Sequence, residues 1–71
     1  MIDELAKINR DVVNDAEKED DPAMRQGAYA SMMKVILGQL YMVHPDRRRQ
    51  FVADSGFTED WMIDRIIGRM K

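Results

Sequence analysis

Between Pro22 and Pro45 runs a segment whose apolar residues go round nearly the whole circumference of a helix. At 100° per residue, Ala23, Met24, Ala28, Tyr29, Ala30, Met32, Met33, Val35, Ile36, Leu37, Leu40, Tyr41, Met42 and Val43 leave only a narrow polar strip of Ser31, Lys34 and Gly38. A helix of that kind must be covered on several sides. Asp21 is a good N-cap and Pro22 suits the first helical position, where a missing N–H costs nothing. The residue before Pro45 disfavours helical geometry, so the spacing predicts a helix over 22–43. The whole chain has only 71 residues and no cysteine. A chain of this size typically buries about 60% of its unfolded surface, and here no disulfide can assist. The central helix therefore predicts a homodimer, with Met32, Ile36 and Leu40 at the shared face.

Three further helical segments surround it. Over 2–17, Ile2, Leu5, Ala6, Ile8, Val12, Val13 and Ala16 share one face, which predicts an amphipathic helix. Asn9 projects into that apolar stripe, where a lone polar residue either fixes the register of a helix pair across a dimer or sits at the stripe's edge in water. A short helix over 45–54 offers Phe51 and Val52 to the core and ends at Ser55-Gly56, with Gly56 free to take the left-handed cap. Thr58 is expected to cap a last helix over 58–70, with Glu59 and Asp60 in its first turn and Arg69 and Lys71 in its last. Met62, Ile63, Ile66, Ile67 and Met70 form its inner face. No stretch alternates with period two, so the fold class is all-α. The expected architecture is one small compact helical bundle of three main helices plus a short one, spanning 1–71 and dimeric.

The net charge of −2 is unevenly spread. Residues 1–21 carry eight acids and three bases, a balance of −5, whereas residues 22–71 carry eight bases and five acids, +3. The acidic front and basic back either attract each other or face different partners. The start is acidic and lacks the basic, then apolar, pattern of a secretory signal. The longest apolar stretch, 35–43, is too short to span a bilayer. The expected location is the cytoplasm, without membrane contact.

Nothing in the sequence assembles a catalytic constellation. His44 is the only histidine, Ser31 and Ser55 have no evident base, and no glycine-rich phosphate loop is present. One histidine with scattered carboxylates is poor material for a metal site. The chain reads as a non-enzyme with neither cofactor nor metal.

Binding features are more informative. Trp61 falls roughly opposite the Met62, Ile66 and Met70 stripe, with Arg65 one turn later. Tryptophan and arginine dominate interaction hot spots, and a large aromatic off the core face needs another surface to cover it. Packing onto Phe57 or the third helix is the plainer alternative. Arg47, Arg48 and Arg49 stand in the first turn of a helix, against its dipole, and something must offset that. The acidic segment 17–21, a protein partner and phosphate are the candidates. Seven methionines fill irregular gaps or line adaptable grooves, and Tyr41 and Met42 are candidate groove lining.

These features lead to the expectation of a small regulatory protein that binds and modulates or inhibits a larger protein. In size, acidity and lack of cysteine it is similar in style to accessory proteins of bacteriophages and mobile elements. Its binding residues would be Trp61, Arg65, Arg47 and Arg48, with Tyr41 and Met42. The alternative is a DNA- or RNA-binding regulator that uses Arg47–Arg49, against which stand the acidic net charge and the lack of a second basic stripe. The tripeptide His44-Pro45-Asp46, preceded by an apolar helix containing Tyr41, also resembles the J-domain family. That resemblance implies contact with an Hsp70 chaperone through these three residues. The sequence departs from the family in two ways: the preceding helix carries only Lys34 in its core stretch, and Arg47-Arg48-Arg49 replaces the usual lysine, asparagine and glycine.

Overall fold

A computed structural model describes residues 2–70 and contains four α-helices, with no strand among the described residues. They are α1 (Ile2–Glu17), α2 (Pro22–Leu40), α3 (Arg48–Asp54) and α4 (Asp60–Ile67), with a 3₁₀ turn at Pro45–Arg47 leading into α3. Lys71, expected at the basic end of the last helix, lies outside the described residues. The all-α architecture follows the hydrophobic periodicity. The radius of gyration of 11.6 Å is close to the value of about 11 Å expected for a compact globule of this length.

Helix α1 buries Ala6, Val13 and Ala16 at the expected spacing. Ile8 and Val12, counted with them on the wheel, are exposed instead, because they lie on the flank of the stripe. Asp21 caps α2 by accepting from the Ala23 N–H at 2.9 Å, and Pro22 opens the helix. Its other end departs from expectation. The helix stops at Leu40, and Tyr41 to Val43 form a turn. There the Arg48 Nε–H donates to the carbonyls of both Leu40 and Val43, at 3.1 Å each, occupying acceptors left over at the helix end.

The core corrects the expected interface. Met32, Ile36 and Leu40 are buried within the single chain, against Ala6 and Val13 of α1, Phe51 and Val52 of α3, and Ile63 and Ile66 of α4. They are therefore core residues and not a surface shared between copies. Each such aliphatic side chain contributes about 1.5–3 kcal/mol on full burial. The remaining circumference of α2 is only half covered, and Met24 and Val35 are exposed.

Asn9 is likewise internal. It is buried, and its Nδ2 donates to Gln39 Oε1 at 2.7 Å and to Ser55 Oγ at 3.3 Å. Ser55 in turn donates to the Phe51 carbonyl at 2.8 Å. One amide thus ties α1 to α2 and to the end of α3, fixing register inside one chain rather than across a dimer or in water. No buried side-chain polar atom among the described residues lacks a partner.

Gly56 ends the α3 turn with φ +108°, and a Cβ there would meet Val13 Cβ and Cγ1 at 3.0 Å. Backbone conformation and close approach both demand glycine at this position. Helix α4 starts at Asp60 with Glu59 in the cap position and no side-chain cap, so the expected Thr58 cap does not form.

Candidate protein-binding groove

Helices α2 and α4 each present a stripe toward the other, and a groove of about 380 Å³ opens between them. From α2 come Gln26, Tyr29, Ala30, Met33, Lys34 and Leu37, at three- and four-residue spacing. From α4 come Trp61, Met62, Arg65 and Ile66, successive turns of one face, and from the turn that follows it Arg69. The half-buried Tyr29, Met33, Leu37 and Met62 form a floor that rests on the core. Below them Tyr29 meets the buried Phe57 edge-on, ring centroids 6.2 Å apart. This contact explains the position of both rings, and it leaves Trp61 outside: the indole is 57% exposed and does not pack onto Phe57 as the plainer alternative required.

Trp61 is nonetheless held in place. Its Nε1–H donates to Glu59 Oε2 at 2.7 Å, and the Arg65 guanidinium lies 5.8 Å from the ring centroid. The expected pairing of these two residues is therefore present. Around the rim stand Lys34, Arg65 and Arg69; no carboxylate lines the groove itself, and Glu59 stands beside it, bonded to the Trp61 indole. The acids of α4 face elsewhere: Asp60 and Asp64 pair with Arg49 of α3, Asp60 at 3.5 Å. The hydrogen bond from Arg49 to Asp64 raises the guanidinium pKa above its ordinary value. Helix α4 is thus divided by charge, acidic toward α3 and basic toward the groove.

The other sequence candidates separate. Arg47, Arg48 and Arg49 do not act together. Arg48 closes the end of α2, Arg49 is engaged by α4, and among the described residues Arg47 alone of the three has neither a side-chain hydrogen bond nor an ion pair. The acidic segment 17–21 is not their counterpart. Asp21 caps α2, and Arg25 donates to the Glu19 carbonyl. Arg48 is thereby corrected from partner contact to structural side chain. Arg47 borders a second hollow of about 500 Å³ with Ile2, Phe51 and Asp54, away from Trp61. Tyr41 and Met42 are exposed in the turn after α2, outside the groove they were expected to line. His44 acts as a cap: its Nδ1 accepts from the Asp46 N–H at 3.2 Å, with the Asp46 carboxylate 3.7 Å away.

Sequence reasoning missed Tyr29, Met33, Lys34, Leu37 and Arg69. Their signal is the spacing of 26, 29/30, 33/34 and 37, which a helix apolar on all sides conceals. Among the described residues no cluster of three His, Asp or Glu side chains is placed to hold a metal ion, and no helix is long and apolar enough to cross a membrane. In comparisons with protein families, curated proteins and solved structures, the chain matches none.

Proposed function

We propose that this protein is a non-enzymatic interaction module, which binds a larger protein through the groove between α2 and α4 and thereby modulates or inhibits it. One observation carries this reading: Trp61 is exposed, with contacts to Glu59 and Arg65, at the edge of an apolar floor. A large aromatic left uncovered contributes apolar area when a partner covers it, and contacts that favour its bound orientation lower the ordering cost. The test is Trp61→Ala in a binding assay with the captured partner. Loss of binding with unchanged helicity supports the reading; retained binding contradicts it.

The geometry works against the nucleic-acid alternative, since two of the three arginines it would use are engaged inside the chain. Phosphate contacts by that turn would require several free cations there, and only Arg47 is left.

A homodimer remains part of the proposal, on a different surface. Asn9 and Gln39 mark where α1 and α2 lie side by side. About one turn further along each helix stand Val12 and Val35, both exposed, with Ile8 beside them on α1. Covering this patch favours self-association. Sedimentation at micromolar concentration tests it: a dimer that Val35→Glu dissociates is expected, and a monomer contradicts it.

A further inference from the structure

The groove is bordered by three cations in a chain whose net charge is −2, and that contrast bears on what it binds. From the proposed role of the groove, on which this inference rests, we infer that its occupant is an acidic amphipathic helix of the partner protein.

The dimensions set the occupant's length. At 1.5 Å per residue, Trp61 to Ile66 spans about 8 Å of α4, with Arg69 in the turn beyond it, and Gln26 to Leu37 about 16 Å of α2. A furrow of that length between two helices accepts two to three turns of a third. Its apolar residues at i, i+3 or i+4, and i+7 would rest on Tyr29, Met33, Leu37 and Met62. The chemistry sets the charge. Lys34 stands on one wall, Arg65 and Arg69 on the other, and Arg49 keeps the two α4 carboxylates turned toward α3. A helix with apolar residues along one stripe and Asp or Glu on both flanks meets a cation on either side. One with Lys or Arg flanks meets three cations and a single carboxylate beside the groove, Glu59, whose Oε2 is already bonded to the Trp61 indole. An oligonucleotide would satisfy the rim but leave the apolar floor without a complement, so the floor favours peptide.

The experiment uses the whole chain and a displayed library of sixteen-residue helices, with randomised apolar positions and a free choice of charge on the flanks. Binders are selected on the wild type and counter-selected on Trp61→Ala. The sole tryptophan then reports each selected peptide through its emission. Acid-flanked binders are expected. Their affinity should exceed that of Lys-flanked copies by roughly tenfold or more, weaken with salt, and lose the preference in the Lys34→Glu, Arg65→Glu double variant. Binders with neutral or basic flanks overturn the charge inference while leaving the groove as a protein site. Recovery of no Trp61-dependent peptide overturns both, as does saturable binding of single-stranded DNA at the same site in place of peptide. A concentration-dependent blue shift of the protein alone, abolished by Ile8→Glu, makes helix α1 of a second copy the occupant and also overturns the inference.

Discussion

The Arg65 guanidinium stacks 5.8 Å from the Trp61 ring centroid, one turn further along α4. Both side chains are exposed, so the contact contributes about 0.5–1 kcal/mol to the fold. Its larger consequence is positional: together with the hydrogen bond from the indole N–H to Glu59, it favours an orientation in which the ring stands beside the groove.

Trp61→Ala should therefore change the free energy of unfolding by no more than about 1 kcal/mol, since alanine is the better helix former and the lost contact is exposed. Urea denaturation followed by circular dichroism measures it. A loss above about 2 kcal/mol would make Trp61 a structural residue and displace the proposed site.

Asn9 is a stability residue. Asn9→Ala leaves Gln39 and Ser55 without their donor at a buried site and should cost about 1–3 kcal/mol. A double-mutant cycle with Gln39→Ala should return a coupling of about 0.5 kcal/mol or more. Strict additivity would show that the bridge does not hold α1 to α2.

Two glycines should respond in opposite directions. Gly56→Ala places a methyl at 3.0 Å from Val13 in a positive-φ conformation and should destabilise by about 1 kcal/mol or more. Gly27 lies within α2 with open space around its Cα, so Gly27→Ala should stabilise by about 0.5–1 kcal/mol. Thermal melts of the pair measure both signs in one experiment.

The three adjacent arginines should separate in the same way. Arg48→Ala removes a charged donor from two helix-end carbonyls and should cost about 1–2 kcal/mol. Arg47→Ala should stay within about 0.5 kcal/mol of the wild type. The effect of Arg49→Ala should be small and should shrink further at high salt, as for an exposed ion pair. Chemical denaturation in urea at two salt concentrations distinguishes the three.

Local signals carried most of the fold. Asp21-Pro22 and Gly56 mark element ends through backbone chemistry that acts within a few residues, whereas His44-Pro45 opens the 3₁₀ turn and α2 already stops at Leu40. The spacing of Ala6, Val13 and Ala16 shows directly which side of α1 is buried. The direction of α2 was not legible, because an apolar residue occurs on nearly every side and the wheel alone cannot choose among them. That ambiguity sent Met32, Ile36 and Leu40 to a dimer face when they fill the chain's own core. Asn9 failed for a related reason, since its partners Gln39 and Ser55 stand 30 and 46 residues away. Of the site, Trp61 and Arg65 were readable from α4 alone. The opposite wall, from Tyr29 to Leu37, depends on how α4 docks and so on tertiary packing.

The most direct test of the central claim is site-specific photo-crosslinking in the native host, with a benzophenone amino acid at Lys34 or Arg69 on the groove rim and at Lys7 or Asp11 on α1. Crosslinking to one discrete protein from the rim positions only, abolished by Trp61→Ala, is the predicted result. The same product from the α1 positions with equal yield, or none from the rim, would contradict it.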